Sequence, residues 1–207
     1  MESELAVNSS WPIELQAIAT GGYYVALRIG FAFPVEERNE FPKEWIDYYT
    51  KNGLMLRDPV VRWAYGNSGS VRWSDLDSFD GYSVLSKARE YGLNYGAVIC
   101  CPGNGPKELR SYGTFSRPDR EFSDTEIMTL EKSLTALHTA SAPPGNLTDA
   151  ELEALGLVKE GMRLKEIAYE LGVSEGAIKQ RLAGAKRKFG AKTNTHAATM
   201  ATEYRMI

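Results

Sequence analysis

Residues Ser141-Ala142-Pro143-Pro144-Gly145-Asn146 constrain this chain more than any others. Two prolines and a glycine cannot continue a helix, so the chain must break there. The break leaves about 140 residues before it and about 60 after it, each enough for a small domain. We therefore expect a first domain over 1–140, a linker over 141–146 and a second domain over 147–207. With 43% hydrophobic and 25% charged residues, both parts can support a core. The formal net charge of −3 averages two unlike pieces. Residues 1–140 carry 14 Lys/Arg and 19 Asp/Glu, whereas residues 141–207 carry 10 and 8. Between Ser174 and Lys192 stand Lys179, Arg181, Lys186, Arg187, Lys188 and Lys192, against Glu175 alone. Such a concentration suits a phosphate-contacting helix, although a solvated helix face has the same composition.

The second part reads as all helical. Thr148 and Glu151 form a capping box before Leu152, Leu155 and Val158, and Gly161 ends that helix. A short helix over Leu164–Leu171 points Ile167, Ala168 and Leu171 inward. Gly172-Val173 turns the chain, and Ser174 caps a third helix with Ile178, Leu182 and Ala185 inward. Thr195–Tyr204 makes a fourth. The small Ala168 lets two helices cross closely, Gly172 allows a tight turn, and a capped basic helix follows. Together these predict a helix-turn-helix over 164–183.

The first part mixes element types. Tyr23–Phe33 is rich in aromatic and branched residues, ends at Pro34 and suits a strand; Ala97–Cys101 and Ser111–Ser116 suit two more. Helices are expected over Glu14–Thr20, Pro42–Lys51 and Val84–Tyr91. A longer one opens at the Ser123/Glu126 capping box, with Ile127, Leu130, Leu134 and Leu137 on one stripe. Strands flanked by helices predict an α/β sandwich. Cys100 and Cys101 are adjacent, without metal-ligand spacing, and read as small strand residues. No signal peptide and no apolar run of membrane-spanning length is visible, which predicts a cytoplasmic protein. His138 and His196 are the only histidines, both on predicted helices, and no Ser-His-Asp or metal constellation appears, so no enzyme is expected.

Leu147-Thr148 with Glu151, then Leu155, Gly161, Glu166-Ile167-Ala168, Leu171, Val173-Ser174, Ile178, Lys188-Phe189 and Asn194, resemble the DNA-binding domain of the LuxR family of bacterial transcription factors. Ala177-Ile178 stands where Thr-Val is usual, and Arg181 where His is frequent. In the first part, Phe41-Pro42-Lys43-Glu44-Trp45, Tyr49, Asp58-Pro59-Val60-Val61, Trp73, Ala88–Leu93 and Gly96 resemble the acyl-homoserine-lactone-binding domain of quorum-sensing LuxR proteins, TraR-like members in particular. The resemblance implies an α+β protein: an α/β/α sandwich around an antiparallel sheet, then a four-helix DNA-binding domain. It also implies four partners: an acyl-homoserine lactone, double-stranded DNA, a second copy of the chain and RNA polymerase. No cofactor or metal is implied.

The residue chemistry agrees with the implied roles. The indole N–H of Trp45 can donate to the lactone ring carbonyl, and ionised Asp58 can accept the amide N–H. Tyr49 and Trp73 add apolar area with polar edges. Read singly, Trp45, Tyr49 and Trp73 are equally core aromatics, and Asp58 before Pro59 is equally a turn residue. Phe41 stands where relatives place a Tyr hydroxyl on the amide carbonyl; Thr114 is the best candidate to supply that donor. This departure leaves open a regulator without lactone control. On the DNA side, Lys179 and Gln180 occupy base-reading positions, and Ala183 can meet a thymine methyl. Lys165, Ser174, Arg181, Lys186, Arg187 and Lys188 are the phosphate candidates. A module this small needs a partner copy on a two-fold symmetric site, with the helices Ser123–Ala140 and Thr195–Tyr204 as the expected dimer elements, unless their stripes face only the intramolecular core.

Overall fold

The computed structural model describes residues 11–30, 33–103 and 109–207. The chain divides into a first unit ending at Ser141 and a second spanning Ala142–Ile207.

In the first unit the chain runs α1 (Ile13–Ile18), β1 (Gly22–Ile29), β2 (Pro34–Asn39), α2 (Lys43–Lys51), a 3-10 turn at Leu54–Leu56, α3 (Pro59–Gly66), β3 (Gly69–Arg72) and α4 (Trp73–Leu76). After a second 3-10 turn at Asp77–Phe79 come α5 (Val84–Arg89), β4 (Tyr95–Cys101), β5 (Arg110–Arg117) and α6 (Asp124–Ala140). The strands form one antiparallel sheet in the order β2-β1-β5-β4-β3. Strand alternation divides the core. Tyr23, Val25, Leu27, Ala97, Ile99 and Phe115 face α1 and α6, where they meet Leu15, Ile127, Leu130, Leu134 and Leu137. Ala26, Val98, Cys100 and Tyr112 face the opposite layer, which contributes Trp45, Val60, Ala64, Trp73, Leu76, Val84, Leu85 and Ala88. The unit is the expected α/β/α sandwich.

The alternation breaks at one place. The β1–β5 register shifts between Ala26 and Ile29, and Arg28 takes φ 53°. This bulge turns the buried Arg28 guanidinium onto the His138 carbonyl (2.6 and 3.2 Å), satisfying an acceptor near the end of α6.

Three differences from the expected elements have physical reasons. The first strand stops at Ile29 rather than Phe33, and Pro34 instead opens β2, an edge strand where a missing N–H does no harm. Val84 begins a helix that ends at Arg89, with Leu93 N returning to the Ala88 carbonyl around Gly92 at φ 80°. The loop expected over 102–106 lies partly outside the described residues. The stripe on α6 faces the sheet, so it is core and not a free dimer surface.

The second unit contains α7 (Asp149–Lys159), α8 (Leu164–Glu170), α9 (Glu175–Phe189) and α10 (Asn194–Glu203). Both capping boxes read from sequence are present: Ser123 with Glu126 on α6, and Thr148 with Glu151 on α7. Leu155, Ile167, Ala168, Ile178, Leu182 and Ala185 are buried as expected, whereas Leu152 and Val158 are only half-buried; Glu151 and Ala154 take the inner face of α7. Ala197, Ala198 and Ala201 of α10 are buried, so this face of the helix is core, while Thr195 and Thr199 remain exposed on the other.

Candidate functional site

The first unit holds a partly open cavity of about 260 Å³ between the sheet and the α2–α5 layer. All six sequence-derived positions border it: Phe41, Trp45, Tyr49, Asp58, Trp73 and Thr114. Local structure explains how each arrives. Trp45 and Tyr49, one turn apart on α2, share the inner face, and their rings meet edge-on at 5.5 Å. Gly53 at φ 59° then reverses the chain towards Asp58.

Asp58 is a helix N-cap as well as a cavity residue. One carboxylate oxygen accepts from the backbone N–H of Val60 at 2.7 Å, and Pro59 fills the first helical position. The other accepts from the Tyr49 hydroxyl at 2.8 Å. An ionised carboxylate offers about four acceptor sites, so capacity remains for a guest N–H. Burial pushes the Asp58 carboxyl up to about 6, against the opposing pull of Tyr49 and the amides of Val60 and Val61.

Trp73 opens α4, and its indole N–H donates to Thr114 Oγ1 on β5 at 3.1 Å. Because that oxygen already accepts, the Thr114 hydroxyl proton is free to point elsewhere. The indole lies against Gly96 of β4, where a Cβ would come within 2.0 Å of Trp73 Cδ2. Gly96 is therefore the residue that lets the tryptophan sit flat on the sheet. The Trp45 indole N–H has no hydrogen-bond partner among the described residues.

The sequence reading missed several walls of this cavity. Tyr24, Glu37 and Tyr112 border it from the sheet, Met55 from the turn after α2, and Val84, Leu85 and Ala88 from α5. The signal for the two tyrosines was available: Tyr112 precedes Thr114 by two residues and so shares its face, and Tyr24 pairs directly with Thr114 across β1 and β5.

In the second unit, α8, Gly172 at φ 63° and α9 form a helix-turn-helix. Ser174 Oγ accepts from Ala177 N at 3.2 Å, capping α9. Ile178, Leu182, Ala185 and Phe189 anchor one face of α9, leaving Lys179, Gln180, Ala183 and Arg187 exposed on the other. Lys165 and Ser174 are exposed, and Lys186 is half-buried. Arg181 lies 3.5 Å from Glu153. Lys188 departs from the expectation. Its ammonium donates to Glu151 at 2.6 Å and to the Asn146 carbonyl at 2.7 Å, so it serves the interior and leaves the phosphate set. Burial raises the Glu151 carboxyl, but Lys188 and Thr148 outweigh that and hold it below the usual carboxylate range.

Residues 34–141 match the autoinducer binding domain family, and residues 145–201 match the luxR family of bacterial regulatory proteins. The chain belongs to the LuxR-type autoinducer-binding regulators. Its make-up is that of a ligand-responsive DNA-binding transcriptional regulator, not an enzyme. It is 27% identical over 176 residues to the transcriptional activator protein VanR of Vibrio anguillarum, covering 79% of this chain and 73% of VanR. It is 29% identical over 200 residues to the quorum-sensing regulator RhlR of Pseudomonas aeruginosa, covering 89% and 82%. The crystal structure of Escherichia coli SdiA superposes with a TM-score of 0.52 at 26% identity, covering 94% of this chain and 89% of SdiA. Among the described residues no helix is long and apolar enough to cross a membrane, and no group of three or more His, Cys, Asp or Glu is placed to hold a metal ion.

Proposed function

We propose that this regulator binds an N-acyl-homoserine lactone in the first-unit cavity and, as a homodimer, a two-fold symmetric promoter site through α9. The observation that carries the reading is the convergence of Trp45, Tyr49, Asp58, Trp73 and Thr114 on one cavity. Each polar group of the lactone head then has a complement. The unpaired indole N–H of Trp45 donates to the ring carbonyl. Asp58 accepts the amide N–H. Thr114, its oxygen already taken by Trp73, turns its proton to the amide carbonyl. That last bond compensates for Phe41, which borders the cavity without a donor. On DNA, Lys179 and Gln180 suit guanine and adenine edges and Ala183 suits a thymine methyl, while Lys165, Ser174, Arg181, Lys186 and Arg187 suit phosphates. RNA polymerase is the partner through which such a bound dimer acts on transcription.

Titrating the full chain with a series of acyl-homoserine lactones while following its melting temperature tests the reading, because a ligand that binds only the folded state raises it. A rise with at least one lactone is the expected result. Phe41 favours a second reading, a LuxR-type regulator that works without lactone. DNA binding that persists with no thermal shift from any lactone establishes that second reading and removes the first.

A further inference from the structure

The sheet wall of the cavity carries two phenols beside Thr114. Tyr24 of β1 and Tyr112 of β5 pack with ring centroids 5.8 Å apart, and Tyr65 of α3 backs Tyr112 at 6.2 Å. They fill space that an apolar chain would need. The remaining volume of about 260 Å³ lies below the roughly 300–1,000 Å³ of pockets that enclose drug-sized ligands.

The two phenols differ in what their hydroxyls do. The Tyr24 hydroxyl donates to Glu37 at 2.6 Å. The Tyr112 hydroxyl has no hydrogen-bond partner among the described residues, although Tyr112 is only 4% exposed. Burial holds Tyr112 firmly protonated, and the nearby charges of Asp58 and Glu37 reinforce this. It therefore presents a donor, and none of the acceptors bordering the cavity is hydrogen-bonded to it. Because Tyr112 borders the cavity, a guest there can supply the acceptor that this donor lacks. The cavity wall also carries Glu37 and Asp58 but no cationic side chain, which disfavours an anionic guest.

We propose that Tyr112, backed by Tyr24, is the specificity-determining wall of the cavity: it restricts the guest to a short acyl chain and donates a hydrogen bond to an oxygen carried on that chain. The inference rests on the lactone reading above. It follows from position as well as chemistry. Thr114 and Tyr112 are two residues apart on one strand and one face, so Thr114 serves the amide carbonyl while the longer Tyr112 side chain serves the next acceptor along the chain. A long aliphatic tail would instead press methylenes against the unpaired hydroxyl or push both rings aside.

The test measures dissociation constants of the full chain for N-(3-oxohexanoyl)-, N-hexanoyl- and N-dodecanoyl-homoserine lactone, in the wild type, Tyr112→Phe and Tyr112→Ala. The wild type should prefer the 3-oxohexanoyl ligand over the hexanoyl one by about fivefold, the worth of one net hydrogen bond. The dodecanoyl ligand should bind more weakly than both. In Tyr112→Phe the ratio between the two six-carbon ligands should fall to about one, and Tyr112→Ala should gain affinity for the dodecanoyl ligand. Wild-type binding of dodecanoyl as tight as hexanoyl overturns the size restriction, and a 3-oxo preference surviving in Tyr112→Phe overturns the donor role; the lactone reading stands in both cases. If none of the three binds the wild type at all, this inference falls, and the wider lactone series of the melting experiment decides whether the lactone reading falls with it. The wild-type comparison decides the size restriction even if a variant fails to fold.

Discussion

Acidification should weaken lactone binding and strengthen the unliganded fold at the same time, because both depend on Asp58. Burial sets this carboxyl at about 6 in the folded chain, above its ordinary value of 3.8. The proposed ligand contact needs the ionised form, which accepts the amide N–H. If only that form binds, the apparent dissociation constant is the intrinsic one divided by the ionised fraction. At about pH 7.5 nearly all of Asp58 is ionised, whereas at about pH 5 roughly a tenth is, so affinity should fall about tenfold, or about 1.4 kcal/mol. The stability sign is opposite. Between 3.8 and about 6 the folded chain holds more protons than the unfolded one, so this group's contribution to stability is lost as pH rises through that window. The full rise corresponds to about 3 kcal/mol. Calorimetric titration with a lactone at several pH values, together with urea denaturation of the unliganded chain, reads both effects. Asp58→Asn isolates them, since other titrating groups are common to both proteins and only the Asp58 slope should vanish. A dissociation constant flat across this range, or the same slope persisting in Asp58→Asn, would refute the assignment of ionised Asp58 as the acceptor.

Gly96→Ala places a Cβ 2.0 Å from Trp73 Cδ2, so the indole must move and surrender its bond to Thr114. The expected cost is about 2–3 kcal/mol of stability, read as a shift in the urea midpoint, with lactone affinity lost in parallel; an unchanged midpoint contradicts the packing. Lys188→Met strands the carboxylate of Glu151, whose side chain is only 10% exposed, and should cost about 3 kcal/mol, measured by thermal or urea denaturation of the second unit's signal. The salt dependence of DNA binding separates the interior lysine from the outer ones: Lys165→Ala should reduce the slope of log affinity against log salt by about one, and Lys188→Met should leave it unchanged.

What the sequence disclosed follows the range of the interactions concerned. The capping boxes, the α6 stripe and the helix-turn-helix rest on residues three or four apart, so spacing alone exposes them. β2 and β3 were not legible. Pro34–Asn39 is mostly polar, and Gly69–Arg72 is four residues long; each is a strand only because a neighbour on one side offers it a ladder, which is information held elsewhere in the chain. Lys188 was misread for a related reason. It belongs to a run of basic residues, and nothing local says that one of them meets Glu151, 37 positions earlier.

Asp58 shows how the two kinds of information join. Its sequence context, Asp before Pro, allowed either a turn residue or a ligand acceptor, and an N-cap that borders the cavity is compatible with both. The N-cap bond to Val60 fixes one carboxylate oxygen, and Tyr49, one turn below Trp45 on α2, fixes the other. The carboxylate is thus held by the start of one helix and aimed by the face of another before any guest arrives. That preorganisation lowers the cost of ordering the site on binding. It also explains why the burial that raises the Asp58 carboxyl is tolerated: the three donors that oppose it are the same contacts that build the cavity wall. Tyr112 is the counter-example in the same cavity, a hydroxyl with no hydrogen-bond partner among the described residues, and the contrast between the two residues is what the proposed binding mode uses: the head of the guest at Asp58 and the chain-borne oxygen at Tyr112.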